Sequence, residues 1–301
     1  MNEKLQAHLA LLGANLFYGA GFSVAKTVMP ELIKPNGFIL IRVLGATMLF
    51  WMSYFFGKDF KTNIDRNDWI RLAVCGLFGV AVNQLMFFQG LQYTTPIHAS
   101  LMMLSTPILV SLFAIFVLKE KITLWHWLGL ALGICGAMLL ILQKTTSGIG
   151  TNLAKGDLFV LLNATSYSAY FILVKPLMAK YRPIIVIRWV FLFGLLYVVP
   201  FGYSDLIQTE WTPFQAKHYV AIGFIVLGVT FFTYLWNIYA LRVLSPATAG
   251  AYIYLQPLFA AIISIVFLGE ALNGVKVISA LLIFTGVYMV GKKRALPELE
   301  E

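Results

Sequence analysis

The lengths of its apolar runs constrain this chain more than any other feature. Crossing the hydrocarbon core of a bilayer as a helix takes about 20 mainly apolar residues. Windows of that kind, bounded by charges, proline or polar loops, recur ten times: 5–28, 36–56, 69–91, 96–118, 124–142, 156–175, 183–203, 217–241, 246–268 and 273–291. The longest connections are Gly57 to Asp68, Gln143 to Lys155 and Ser204 to Ala216, so none has room for an extramembrane domain. Only 12% of the 301 residues are charged and 60% are apolar, whereas about a quarter of an ordinary soluble domain is charged. So few charges cannot cover so much apolar surface in water, and the expected solvent is lipid. The same hydropathy excludes disorder. Cys75 and Cys135 are the only cysteines and match no metal or redox motif. The first apolar run carries Asn15 and Lys26 and lacks a clear small-residue cleavage site, so no cleavable signal peptide is expected.

The basic residues orient the spans. Loops on the amino-terminal side hold Lys4, Lys58, Lys61, Arg66, Arg71, Lys119, Lys121, Lys180, Arg182, Arg242, Lys292, Lys293 and Arg294, while the other side holds Lys34, Lys144, Lys155, Lys217 and Lys276. By the positive-inside rule both termini are expected in the cytoplasm, as an even number of spans requires. The net charge of +9 therefore records orientation and not a nucleic-acid partner. Four cations remain inside the spans: Lys26, Arg42, Lys175 and Arg188.

The two halves repeat each other at an offset of 150 residues. Leu91 matches Leu241, Pro96 matches Pro246, Ala99 matches Ala249, Pro107 matches Pro257, Glu120 matches Glu270 and Gly136 matches Gly286. Lys26 pairs with Lys175, and Arg42 with Arg188, at slightly smaller offsets. Five spans per repeat is an odd number, so the second repeat enters the membrane from the opposite side. The fold class expected is an all-α integral membrane protein of ten transmembrane helices arranged as two inverted five-helix repeats, 5–142 and 156–291. That architecture is typical of secondary transporters.

These residues resemble the EamA family of the drug/metabolite transporter superfamily. The resemblance rests on Asn15 to Lys26, on Ile41-Arg42, and on two parallel blocks. The first runs from Gly90-Leu91 through Pro96, Ala99 and Pro107 to Glu120; the second runs from Ala240-Leu241 through Ser245-Pro246-Ala247, Ala249 and Pro257 to Leu268-Gly269-Glu270. Lys119 departs from the family pattern, which has Gly there. Known members move amino acids, other small metabolites or drugs, often outward, so the resemblance implies export. It also implies that the fifth and tenth spans brace the halves.

Polar groups in lipid usually face the protein interior or a water-filled cavity. Asn15, Tyr18, Phe22 and Lys26 share one helical face of the first span, and Asn163, Tyr167, Tyr170 and Lys175 repeat the pattern in the sixth. His98, Met102 and Thr106 align with Thr248, Tyr252 and Gln256, and both rows lead into a mid-helix proline, Pro107 or Pro257. The third and eighth spans add Asn83, Phe87 and Asn237, set among other amides and aromatics. We take these groups as the substrate-binding candidates, with Lys26 or Lys175 placed to meet a carboxylate. Hydrogen bonding between helices, lysine snorkelling and plain packing are the competing readings. Arg42 and Arg188 are read as structural or gating groups, with an anion contact as the alternative. The prolines Pro96, Pro107, Pro246 and Pro257 belong with them. Glu120 and Glu270 are read as turn or helix-cap residues, and Asp157 as a helix N-terminal residue favoured by the macrodipole. Gly129, Gly133, Gly136 and Ala137 give the fifth span a small-residue face.

No carboxylate lies near the middle of a span, and no nucleotide loop, metal cluster or nucleophile elbow is present in the sequence. The expected function is a permease exporting amino acids or similar small metabolites by alternating access. It is expected to use no cofactor or catalytic residue and to sit in a bacterial-type inner membrane. Its expected partners are a small solute and the bilayer, as a monomer or a homodimer through span five or ten. A flippase-type or multidrug efflux protein is the main alternative, and a membrane-embedded enzyme the second.

Overall fold

A computed structural model describes residues 3–56, 64–106, 108–110, 112–113, 124–142, 152–243, 252 and 255–291. Among them every regular element is helical. The first half contains α1 (Glu3–Lys26), α2 (Pro35–Phe56), α3 (Arg66–Gly76), α4 (Val82–Tyr93), α5 (Pro96–Met103) and α6 (Leu124–Ile141). The second contains α7 (Leu153–Lys180), α8 (Pro183–Ile207), α9 (Ala216–Gly223), α10 (Thr233–Val243), α11 (Leu255–Leu268) and α12 (Gly274–Gly291). A π-helical stretch, Leu77–Ala81, joins α3 to α4, and a second, Phe224–Phe232, joins α9 to α10. Helix therefore occurs in each of the ten expected windows. The windows 96–118 and 246–268 are described only in part, and Pro107, Glu120 and Pro246 lie outside the described residues.

Among the described residues six helices are long and apolar enough to cross a membrane: Glu3–Lys26, Pro35–Met52, Arg66–Tyr93, Leu153–Lys180, Pro183–Ile207 and Ala216–Asn237. Trp127–Leu139, Leu255–Leu268 and Gly274–Gly286 are shorter apolar helices. Their starts follow local chemistry. Thr95 caps α5 by accepting from the His98 N–H, with Pro96 in the first turn, where a missing N–H costs nothing. Asn152 caps α7 through the Lys155 N–H. Beyond Leu268, Gly269 takes φ +65° and turns the chain sharply after α11, which places Glu270 back against the bundle.

The helices pack by a rule that survives exchange of the halves. In terms of expected spans, the first (α1) meets the eighth (α10) and ninth (α11), while the sixth (α7) meets the third (α4) and fourth (α5). The second meets the seventh (α2 with α8), the fourth meets the ninth (α5 with α11), and the fifth meets the tenth (α6 with α12). Lipid is as apolar as leucine, so these contacts rest on close approach and interhelical hydrogen bonds more than on burial from water. The α6–α12 seam illustrates this. A Cβ added to Gly286 would lie 2.5 Å from the Gly129 carbonyl oxygen and 2.7 Å from the Gly133 nitrogen. The small-residue face of the fifth span is thus the surface on which α12 lies. Phe38, Phe50, Phe88, Phe191 and Met102 are fully buried where the halves meet, whereas Leu196, Phe201 and Phe267 project outward, the last 77% exposed. An apolar exterior of that kind suits hydrocarbon and not water.

Candidate functional site

The centre of the bundle is organised around Arg42. Its helix, α2, runs between α4, α8 and the second π stretch, and this buries the residue to 8% exposure. The guanidinium donates from Nε to Thr230 Oγ1 at 2.8 Å and from Nη1 to Gln84 Oε1 at 2.8 Å, and it lies over the Phe88 ring at 5.2 Å. Thr230 donates in turn to the Ile225 carbonyl five residues back, a bond that spans one π turn. Gln84 continues the network by donating to Asn83 Oδ1 at 3.3 Å. Asn163 Nδ2 on α7 donates to the Asn83 carbonyl at 2.7 Å. Tyr18 and Tyr234 lie within electrostatic reach of the guanidinium.

Around this network stand side chains that are inside the bundle yet only half-buried: Tyr18, Tyr167, Tyr234, Asn237 and Gln256. Tyr167 stacks on Tyr170 at 5.8 Å, and Tyr234 stands edge-on to Phe191 at 5.3 Å. Phe22 meets Phe87 edge-on at 5.4 Å. Gly19 lets α1 approach α11 so closely that a Cβ there would lie 2.6 Å from Phe259 Cβ. That approach brings two expected site residues together, since Gln256 Nε2 donates to Asn15 Oδ1 at 2.9 Å. Asn15 Nδ2 donates to the Leu11 carbonyl, and Asn237 Nδ2 to the Thr233 carbonyl. Pro257 is buried one residue further along α11. The structure therefore gathers Asn15, Tyr18, Phe22, Asn83, Phe87, Asn163, Tyr167, Tyr170, Asn237 and Gln256 into one interior region. It adds Gln84, Thr230 and Tyr234, which sequence reasoning had not put among the site residues. The π stretch that presents Thr230 carries no sequence signal that we can name.

Other expected site residues lie elsewhere. Met102 is fully buried in packing, and Lys175 is exposed on α7. Tyr252 pairs through its hydroxyl with His8 Nδ1 at 2.8 Å, near the start of α1. Lys26 donates to the Gln92 carbonyl at 3.3 Å, at the opposite end of that helix. His98 is turned away from the expected row, and its Nδ1 contacts Asp157 Oδ2 at 2.8 Å. Arg188 is buried with its guanidinium over the Trp51 ring at 5.6 Å.

His98 belongs to a second cluster, which closes one end of the bundle. There the break between α4 and α5, Thr94 to His98, is gripped by two carboxylates of the second half. Asp157 accepts from the Thr94 hydroxyl and pairs with His98, all three fully buried. Glu270 accepts from the Thr95 and Ser264 hydroxyls, from the Ile97 N–H at 3.3 Å, and from Lys276 Nζ at 2.9 Å. Gly156 makes the approach possible, because a Cβ there would lie 2.6 Å from the Thr94 nitrogen. One sequence reading, that of Asp157, is corrected here, and the partner of Glu270 is supplied. Asp157 lies beyond the first turn of α7, whose cap is Asn152, and binds the other half instead of serving the macrodipole. Glu270 is a turn residue, but the helix start it reaches is that of α5, and it is 2% exposed.

The other end is held by more exposed groups. Lys180 donates to Asp68 at 2.9 Å and to Asp65 at 3.3 Å, and the Tyr181 hydroxyl donates to Asp68 at 2.9 Å. The two lysines that match in the repeat report the same asymmetry: Lys26 is half-buried at the carboxylate-gripped end, and Lys175 is exposed. Among the described residues no group of three His, Cys, Asp or Glu side chains is placed to hold a metal. The interior around Arg42 offers amides, phenols, hydroxyls and its guanidinium, a set suited to binding a solute.

Comparison with known proteins agrees with this picture. A model of the EamA-like transporter family matches residues 5–142 and 154–292. An uncharacterized transporter of Archaeoglobus fulgidus is 25% identical, over 98% of this chain and 99% of its own. A protein of Streptantibioticus cattleyicolor named as a probable terminal-alkyne amino-acid exporter is 25% identical, over 74% of this chain and 73% of its own. In fold, a solved crystal structure superposes with a TM-score of 0.61 over 94% of this chain and 95% of its own, at 19% identity. With two family matches that together cover nearly its whole length, a membrane-type helical fold and relatives named as transporters, the chain belongs to the EamA-like transporter family.

Proposed function

We propose that the protein is a ten-span permease of a bacterial-type inner membrane, both termini cytoplasmic, that exports amino acids or similar small metabolites by alternating access. Its two repeats, 5–142 and 156–291, enter the membrane from opposite sides in this reading. The observation that carries it is the packing that survives exchange of the halves, with a polar and aromatic interior at their seam. Such a seam allows one site to open to either face by related movements. The arrangement described here is the one closed at the Asp157 and Glu270 end. By the positive-inside reading, that end is extracytoplasmic. The half-buried tyrosines, Asn237 and Gln256 line the solute path, and the name of the Streptantibioticus relative favours amino acids among the candidate solutes.

Purified protein in liposomes is expected to carry at least one labelled amino acid or related metabolite from a broad panel faster than protein-free liposomes do. Tyr167→Ala and Gln256→Ala are expected to insert normally and to lower that flux about tenfold or more, the size expected when a hydrogen-bonding or aromatic contact of ~1.4 kcal/mol or more is removed. Wild-type flux in both variants would overturn the site, and no flux across the panel would overturn the transport reading.

A further inference from the structure

Arg42 carries a buried charge with no acidic partner among the described residues. Four carboxylates near the ends of the bundle are matched: Asp68 with Lys180, Asp157 with His98, Asp205 with Lys34 and Glu270 with Lys276. Arg42 has neutral partners only, namely Thr230, Gln84 and the Phe88 ring, and among the described residues no Asp or Glu is within ion-pair distance. Nor does the sequence offer an acid near the middle of any expected span.

A guanidinium stays charged at any working pH. Burial deprives it of water, and neutral acceptors satisfy hydrogen bonds without cancelling the charge. Of its five N–H groups, one on Nε and one on Nη1 are engaged, which leaves the Nη2 pair and the second Nη1 N–H without a protein acceptor among the described residues. Those remaining groups form the fork that a carboxylate meets with two parallel hydrogen bonds. The low dielectric that penalises an unpaired cation also strengthens its attraction to an incoming anion. The two lysines expected to meet an anion are placed less well: Lys26 lies at the closed end, where it donates to the Gln92 carbonyl, and Lys175 is exposed.

We propose that Arg42 holds the carboxylate of the transported solute, so that the protein selects small acids and amino acids carrying a free carboxylate on an apolar or aromatic body. The half-buried rings of Tyr18 and Tyr234 beside the guanidinium take the apolar body. This assignment rests on the transport reading above and names the solute class at that same site.

The test uses full-length protein in liposomes and matched labelled probes: L-phenylalanine, L-tryptophan and 3-phenylpropionate against phenylalaninamide, phenethylamine and tryptamine, each corrected for flux in protein-free liposomes. Wild-type protein is expected to move the carboxylates at least about tenfold faster than their amide and amine counterparts, the ratio that one charge-assisted hydrogen bond supports. Arg42→Lys is expected to retain part of that preference, and Arg42→Gln to abolish it. If Arg42→Gln fails to fold, as judged by gel filtration, the wild-type ratio alone decides. Equal rates for acids and amides in wild type, or an unchanged acid preference in folded Arg42→Gln, would overturn the assignment while leaving a transporter. Absence of flux for every probe would instead strike the transport reading, and this assignment with it.

Discussion

Glu270→Ala is expected to lower unfolding stability by about 3–5 kcal/mol, the range found when one partner of a buried ion pair is removed and the other is left uncompensated. Lys276 Nζ would keep only the Ala271 carbonyl, and the Thr95 and Ser264 hydroxyls and the Ile97 N–H would lose their common acceptor. The effect is large because Glu270 does two jobs at once: it neutralises a buried lysine of its own half and caps α5 of the other. Reversible unfolding in mixed micelles measures it. Lys276→Ala is expected to cost a comparable amount, and the double variant less than the two singles together, because each single change strands the same pair. A loss below about 1 kcal/mol for Glu270→Ala would place the pair in the weak class of surface ion pairs and contradict its role as a clasp.

The second large effect concerns conformation. Asp157→Ala removes the acceptor of two buried groups, Thr94 and His98. Each hydrogen bond to a charged group contributes about 1.5–3 kcal/mol, so opening of this end should become easier by roughly a hundredfold or more. The readout is a cysteine introduced at Ile97, which is 2% exposed, after Cys75 and Cys135 are replaced. Labelling of that cysteine by a membrane-impermeant maleimide is expected to accelerate by about the same factor in Asp157→Ala, since reaction follows the population of the open form. Unchanged labelling would mean that Asp157 does not restrain this end.

These two carboxylates also mark where the sequence was legible and where it was not. Helix positions followed from apolar run length: a window expected at 5–28 is a helix at Glu3–Lys26, and one expected at 183–203 is a helix at Pro183–Ile207. The small-residue face around Gly133 and Gly136 is a real seam because close approach needs the side chain to be missing, and the letter Gly states that directly. Periodicity put Asn15, Tyr18 and Phe22 on one face of α1, but periodicity is silent about what stands opposite. The bonds from Arg42 to Thr230 and from Asp157 to Thr94 join residues 188 and 63 positions apart. Nothing local encodes such partners. Asp157 was misjudged because α7 begins at Leu153, earlier than the expected start at 156, which moves the acid from the first turn to a contact surface. The π stretches are illegible for a related reason: the helices they lie against, α8 for the first and α2 for the second, are distant in the chain.

Alternating access through a seam between two halves is the central claim, and solute counterflow tests it most directly. Liposomes loaded with a high concentration of unlabelled L-tryptophan, L-phenylalanine and L-leucine are diluted into trace amounts of the same labelled amino acids. A carrier whose single site faces one side at a time is expected to accumulate label transiently above its external concentration, because outward traffic of unlabelled solute returns the site loaded. Label that only equilibrates, with no overshoot at any internal concentration although flux is present, would describe an open path and contradict the account.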